Sequence, residues 1–140
     1  MSVIGYTTGV FDLFHIGHLN VLRRAKEECD YLIVGVTTDE LVQNRKSKTP
    51  VIPFKERMEI VRHIIFVDKV VAQSDMDKMK AWQSLRFNKM MVGSDWKDTV
   101  TWNKLEKDFA SVNVDILYLP YTQKTSSTKL TAFIDKFISE

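Results

Sequence analysis

The sequence contains little cysteine and carries little net charge. Cys29 is the only cysteine among the 140 residues, so no internal disulfide can form, and we expect it to be a small buried residue at a helix end. The 20 lysines and arginines are set against 18 aspartates and glutamates, which gives a formal net charge of +2. So small a charge argues against broad nucleic-acid binding, which depends on the neutralisation of many phosphates.

Long apolar segments are also absent. No basic stretch followed by an apolar run opens the sequence, and no apolar run approaches the roughly 20 residues that span a bilayer. The sequence also shows no internal repeat and no low-complexity tract. We therefore expect one domain covering residues 1–140, located in the cytoplasm and without a membrane partner.

What the sequence does have is an alternation of strand-length apolar runs with helical spacing. Strands are predicted at 3–8, 31–37, 67–72, 89–92 and 114–119, and helices at 16–28, 53–65, 78–87, 102–110 and 127–138. The polar, basic segment 39–53 is predicted to be a loop. Right-handed crossovers then give an α/β fold with a doubly wound, parallel, five-stranded sheet.

Such sheets bind ligands beyond the carboxyl ends of their strands, at the point where the strand order reverses. Chemistry-bearing segments follow the first, fourth and fifth predicted strands, and we expect them to converge on one crevice. The most informative is His15-Ile16-Gly17-His18, between the first strand and the first helix. Free N–H groups and the helix dipole favour phosphate there, and imidazoles add donors. Taken alone, the histidine pair also fits a metal site, a helix cap or chance.

The residues before this pair form the turn out of the first strand. Gly9 lets the backbone approach a nucleotide closely. Phe11 fits the core better than a ligand contact. Asp12 either caps the following turn or helps to hold a metal or triphosphate.

A second group of polar residues follows the second predicted strand. Arg45, Lys46 and Lys48 crowd the predicted loop. A charge run of this kind is commonly a solvated face. A mobile basic loop that closes over phosphates is the alternative, and the Lys-x-Lys spacing favours it.

The fourth and fifth predicted strands end in two further polar segments. At Gly93-Ser94-Asp95-Trp96 the glycine permits an unusual backbone angle, Asp95 offers an acceptor for a base or ribose, and Trp96 suits either core or ligand. Before the last helix, Thr125 to Thr128 supply four hydroxyls, which is more than an N-cap needs and is typical of an anion site.

These segments, in this order, resemble the cytidylyltransferase family of nucleotidyltransferases, whose fold is Rossmann-like, and most of all its bacterial enzymes that use glycerol 3-phosphate. The resemblance covers nearly the whole chain and is most specific at 9–18 and 120–129. It implies attack of a phosphomonoester oxygen on the α-phosphorus of CTP, with release of pyrophosphate and formation of a CDP-alcohol such as CDP-glycerol. It also implies magnesium, with protein ligands left open, and a possible homodimer.

The resemblance implies a role for each matching position. The catalytic group is His15, His18, Lys46, Lys48 and Arg57; the nucleotide-binding group is Thr8, Gly9, Val10, Phe11, Asp12, Gly93, Asp95, Trp96, Thr122, Ser126 and Ser127.

The sequence departs from the family at positions that bear on the acceptor. The positions of two family arginines hold Tyr121 and Ile65, a family tryptophan is Met76, and a family Glu-Gly pair is Gln123-Lys124. Losing two guanidinium groups removes bidentate phosphate contacts. Lys124 and Arg62 are the candidates to compensate. We therefore predict intact CTP chemistry with a remodelled acceptor pocket for glycerol 3-phosphate or a related polyol phosphate such as glycerol 2-phosphate. The alternatives are adenylyl transfer from ATP and a non-catalytic nucleotide-binding module.

Overall fold

The computed structural model describes residues 2–120 and 127–139, with side chains described for 2–120 and 130–136. The strands are β1 (Ile4–Gly9), β2 (Tyr31–Thr37), β3 (Lys69–Gln73), β4 (Lys89–Gly93) and β5 (Asp115–Leu119). The helices are α1 (Ile16–Glu27), α2 (Asp39–Lys46), α3 (Phe54–Arg62), α4 (Lys78–Leu85), α5 (Val100–Ala110) and α6 (Ser127–Ser139), with a single 3-10 turn at Ser94–Trp96. The predicted elements are all present, and their ends differ from the prediction by at most three residues.

The five strands form one parallel sheet in the order β3-β2-β1-β4-β5, which confirms the predicted doubly wound fold. The chain winds outward from β1 to β3, and α4 then carries it back so that β4 lies on the other side of β1. The strand order therefore reverses between β1 and β4. This places the expected crevice at the carboxyl ends of these two strands.

Each face of the sheet is covered by helices, as the continuous apolar run of β2 predicts. Val34 and Val36 of β2 pack on one face with Leu22 of α1 and Val61 of α3. Ile33, between them in sequence, belongs to the cluster on the opposite face, beneath α4 and α5. The core thus fixes the sheet rigidly under the loops that follow the strands.

The prediction of a continuous loop over 39–53 is wrong for its first half, which forms α2 (Asp39–Lys46). Thr38 caps this helix, since its Oγ1 accepts a hydrogen bond from the Leu41 N–H at 3.2 Å. The helix ends at Ser47, whose φ of 53° is left-handed. Thr38 as an N-cap and the acidic first turn are sequence signals for the start of a helix. They do not suffice for a prediction here, because the helix is short and polar and shows no apolar spacing.

Within the part of the chain that the structure describes, we find no helix with the length and apolar character needed to cross a membrane.

Candidate active site

The two histidines cap the helix that they begin. His15 is the N-cap of α1, and its Nδ1 accepts a hydrogen bond from the Gly17 N–H at 3.0 Å. The His15 N–H in turn donates to Nδ1 of His18 at 3.2 Å, and the two ring centroids lie 4.0 Å apart. A neutral imidazole that accepts at Nδ1 carries its proton on Nε2. The cap and the functional pair are therefore the same feature, because capping fixes each ring as an Nε2–H donor.

Burial keeps this pair neutral. Desolvation, with a smaller contribution from His15, lowers the pKa of His18 from 6.5 to about 4, although the Asp12 carboxylate opposes the shift. Burial also lowers the pKa of His15. At neutral pH both rings are uncharged donors at the positive end of a helix dipole, an arrangement suited to an anion.

The turn that presents the histidines is held by an aromatic ring. Phe11 is 6% exposed, belongs to the core cluster and lies 5.5 Å from His18 between ring centroids. A Cβ added at Gly9 would lie 2.9 Å from Cε2 of Phe11, so the glycine makes room for this ring. The ring of Phe11 thus belongs to the core, as expected, and the implied place of Phe11 in the nucleotide lining stays a prediction. Thr8 and Val10, on either side of Gly9, are half-buried.

Asp12 reaches across to another segment of the chain. Its Oδ2 accepts a hydrogen bond from the Val51 N–H at 2.8 Å, and its Oδ1 accepts one from the Ile52 N–H at 2.9 Å. The carboxylate therefore joins the histidine loop to the stretch of chain between α2 and α3.

Arg57 is an internal brace. It is 1% exposed, and its guanidinium donates to the carbonyl oxygens of Ile52 at 2.8 Å, Val10 at 2.7 Å and Thr37 at 2.8 Å. It also pairs with Asp39 at 2.6 Å. These bonds tie the exits of β1 and β2 to α3, and the implied catalytic role of Arg57 stays a prediction.

The basic group predicted over the crevice sits at the end of α2. Arg45 and Lys46 are in the last turn of that helix, Lys48 follows two residues later, and all three are exposed. The stretch that Asp12 and Arg57 hold begins three residues after Lys48. The structure therefore places the lysines on a segment tethered to the histidine loop.

The exit of β4 lies beside the exit of β1. Gly93 has φ −63° and ψ 145°, an ordinary extended conformation, so the expected unusual backbone angle is absent. Asp95 is exposed and Trp96 is 44% exposed, which rules out the core as the place of this indole. Among the described residues, no group of three or more His, Cys, Asp or Glu side chains is arranged to hold a metal ion.

Comparison with known proteins identifies the family of this chain. The family model described as cytidylyltransferase-like matches residues 6–133. The chain belongs to the cytidylyltransferase-like family. It is 34% identical to a glycerol-3-phosphate cytidylyltransferase of Bacillus spizizenii, over 89% of this chain and 91% of the relative. It is 31% identical to an FAD synthase of Thermococcus sibiricus, over 94% of this chain and 90% of the relative.

A solved structure supports the fold alone. The lipopolysaccharide core biosynthesis protein of Thermoplasma volcanium superposes with a TM-score of 0.74 at 22% identity, and the match covers 89% of this chain and all of the other.

One candidate residue of this cytidylyltransferase-like chain escaped the sequence analysis. Lys78, at the start of α4, is 5% exposed, and within the described residues it has no hydrogen-bond or ion-pair partner. Burial, followed by the charge of Arg45, lowers its pKa from 10.5 to about 8, while Asp75 acts in the opposite direction. No sequence motif predicts the burial of Lys78, because a lysine at the start of a helix is expected to be solvated. Only the packing of α4 against α5 shows that it is buried.

Lys78 lines a cavity of about 400 Å³ between the first turns of these two helices. The other lining residues are aliphatic, hydroxylic or charged: Met76, Asp77, Met79, Val100, Thr101, Lys104, Leu105 and Asp108. The cavity lies toward the carboxyl edge of the sheet, on the face covered by α4 and α5, whereas α1 and its histidines cover the opposite face.

Ile65, which stands where the family has an arginine, does not lie at the carboxyl edge of the sheet. Arg62 is the last residue of α3 and Ile65 follows it before β3, which places both at the amino edge of the sheet, opposite the histidines. Arg62 is paired with Glu59 at 2.7 Å. Within one copy of the chain, Arg62 therefore does not compensate for a lost arginine at the crevice.

The predicted residues near the C-terminus are only partly visible. Thr122 and Ser126, together with Tyr121, Gln123 and Lys124, lie outside the described residues. Ser127 begins α6, as predicted, but its side chain is not among those described.

Proposed function

We propose that this protein transfers a cytidylyl group from CTP to a small phosphorylated alcohol, such as glycerol 3-phosphate or glycerol 2-phosphate, and releases pyrophosphate. The observation that carries the proposal is the pair of neutral, Nε2-protonated imidazoles at the N-terminal end of α1, beside the reversal point between β1 and β4. Membership of the cytidylyltransferase-like family supports the reaction class.

The chemistry needs positioning and charge stabilisation rather than a covalent intermediate. When the acceptor oxygen attacks the α-phosphorus, negative charge grows on the bridging and equatorial oxygens. The imidazole donors and the first-turn N–H groups of α1 stabilise that charge. Lys46 and Lys48 neutralise the departing pyrophosphate.

The nucleoside is assigned to the exit of β4. The Asp95 carboxylate accepts from the exocyclic amino group of the base, and the half-exposed indole of Trp96 covers a base or ribose face. The 34% identity to a cytidylyltransferase supports cytosine at this position.

The acceptor is assigned to the Lys78 cavity. The Lys78 side chain is nearly buried and desolvation lowers the pKa of its ammonium, so a phosphate dianion would supply a favourable counter-charge. The lining combines aliphatic, hydroxyl and charged side chains, among them Thr101, Lys104 and Asp108, and these polar groups would bind the hydroxyls of a short polyol. Lys78 would bind the acceptor phosphate as a point charge.

Magnesium is part of the proposal. The ion favours phosphate oxygens and water with only one or two carboxylates. It would supply further charge neutralisation on the triphosphate.

Adenylyl transfer is the second candidate. An FAD synthase matches 94% of the chain at 31% identity, and adenine, like cytosine, presents an exocyclic amino group to a carboxylate. A non-catalytic nucleotide-binding module is the third, and Tyr121 and Ile65 in place of arginines favour it.

The deciding experiment is a matrix of CTP and ATP against glycerol 3-phosphate, glycerol 2-phosphate, other polyol phosphates and FMN, with magnesium. Pyrophosphate release is measured and products are identified by mass spectrometry. We expect a CDP-alcohol from CTP. Pyrophosphate from ATP but not from CTP would replace the proposal with adenylyl transfer. CTP binding in calorimetry without product from any acceptor would favour the binding module.

A pair of lysine variants tests the acceptor site. Lys78→Met should raise the acceptor KM by about tenfold or more, through loss of a charge-assisted contact, and leave the CTP KM nearly unchanged. Lys80→Met is the matched control, because Lys80 lies two residues away, is 70% exposed and pairs with Asp75. Equal effects of the two variants would contradict the assignment.

A further inference from the structure

The histidine loop (residues 10–15) and the lysine-bearing segment (residues 46–52) are held together by a small set of contacts on Ile52. The Ile52 N–H donates to Asp12 at 2.9 Å, and the Ile52 carbonyl accepts from Arg57 at 2.8 Å. The adjacent Val51 N–H donates to the second carboxylate oxygen of Asp12 at 2.8 Å. Both polar groups of one loop residue are thus fixed by side chains from two other elements.

Asp12 occupies a strained part of the backbone. Phe11 before it has φ 54°, and Leu13 after it has φ 50°, both left-handed conformations that non-glycine residues seldom adopt. Such conformations are energetically unfavourable for residues other than glycine and persist only when surrounding contacts hold them. The two hydrogen bonds of the Asp12 carboxylate are contacts of this kind, and the strained turn leads directly to His15.

We infer that Asp12 is a positioning residue, which fixes the histidine loop relative to the lysine-bearing segment so that both face one triphosphate. The inference rests on the proposed function for its catalytic consequence. Asp12 need not touch the nucleotide in this role. It acts through Val51 and Ile52 on one side, and through the turn that carries the histidines on the other.

Arg57 contacts the same two segments. Its bond to the Val10 carbonyl holds the histidine loop two residues before Asp12, and its bond to the Ile52 carbonyl holds the opposite segment. Arg57 thus supports the fold of both segments. Asp12, at the half-buried end of the connection, sets their separation. Substitution of Asp12 therefore separates positioning from folding better than substitution of Arg57.

The test compares Asp12→Asn with Asp30→Asn. Asparagine keeps the size of Asp12 but puts an NH2 donor in place of one of the two oxygens, so one of the two N–H groups faces a donor instead of its present acceptor. Asp30 is the matched control, because its Oδ2 also accepts a single backbone hydrogen bond, from the Val3 N–H at 2.7 Å, at the opposite edge of the sheet. Amide hydrogen exchange of Val51 and Ile52 is measured by NMR alongside kcat and both KM values.

For Asp12→Asn we expect exchange of these two amides to accelerate at least tenfold and kcat to fall about tenfold or more, with the acceptor KM within about twofold of wild type. Asp30→Asn should change neither the exchange at Val51 and Ile52 nor kcat. Unchanged exchange in Asp12→Asn, or unchanged kcat in an otherwise active protein, overturns the inference. If the wild-type chain transfers nothing from any nucleotide, the proposed function fails. The exchange rates then decide the structural link by themselves, and unchanged rates overturn it.

Discussion

Thr37 donates a hydrogen bond from Oγ1 to Oε1 of Gln73 across 2.7 Å, at the point where β2 and β3 end. Both residues are buried, and the Thr37 carbonyl is one of the acceptors of Arg57. Together with the hydrogen bond from the Thr38 N–H to the Gln73 carbonyl, this contact joins the exit of β2, which leads to the basic helix α2, with the exit of β3, which leads to Lys78. The ends of β2 and β3 are therefore linked at the carboxyl edge of the sheet.

Removal of the Thr37 hydroxyl tests how much this hydrogen bond contributes to stability. Thr37→Val keeps the side-chain shape but leaves the buried Gln73 oxygen without its donor, so we expect a loss of about 1–3 kcal/mol in the free energy of unfolding. Urea denaturation measures it. A double variant with Gln73→Leu should recover part of the loss, because both polar groups are then gone. A stable single variant would show that the contact contributes little.

His18 is expected to stabilise the transition state. His18→Ala should lower turnover by about a hundredfold or more, in line with the loss of one preorganised donor. Part of any effect is structural, because His18 also accepts the capping hydrogen bond of His15.

His18→Gln separates the two roles. Glutamine at this helix position is a good capping residue, so stability should remain near that of the wild type while turnover stays at least tenfold low. Steady-state kinetics and thermal unfolding provide the two readouts. Wild-type turnover in His18→Gln would mean that capping is the main role of His18.

Acceptor binding should weaken above pH 8. The pKa of Lys78 lies near 8, so its charged form prevails below that pH and is lost above it. The acceptor KM should therefore rise as pH increases from 7 to 9.5, a range in which alkyl phosphates are already dianions. Initial rates against acceptor concentration at each pH measure this. Lys78→Met should show a high KM with little pH dependence; an unaltered pH dependence in that variant would assign the titration to another group.

Arg57 should matter for stability more than for chemistry. Arg57→Lys keeps a positive charge but loses several of the fixed bonds to carbonyl oxygens, and we expect a loss of about 3 kcal/mol in unfolding free energy. Denaturant unfolding checks the value. A hundredfold fall in kcat at undiminished stability would instead restore the direct catalytic role that the sequence implied.

Gly9 should be intolerant of a side chain for a packing reason. Gly9→Ala places a methyl group 2.9 Å from the Phe11 ring, so overpacking should cost about 1–3 kcal/mol. Combining it with Phe11→Leu should make the alanine less harmful than it is alone. Thermal unfolding of the four proteins in this cycle measures the coupling, and strictly additive effects would contradict the contact.

The sequence by itself determined the order of strands and helices, the parallel sheet and the place of the crevice. Apolar runs and helical spacing are local signals that each segment carries independently of the others, and the general rule of right-handed crossovers then arranges the segments. The histidine pair was recognisable for the same reason, since its spacing and its place between a strand and a helix are both local. The short polar helix α2 was missed, because its single buried residue, Val42, gives no periodic pattern.

The tertiary structure alone decided what the individual polar residues do. Arg57 and Asp12 face backbone groups distant in sequence, so no local pattern distinguishes a brace from a phosphate ligand. Lys78 is buried only because α4 packs against α5, and its depressed pKa follows from that packing. Desolvation and hydrogen bonding depend on which segments meet in space, and the folded chain alone brings those segments together.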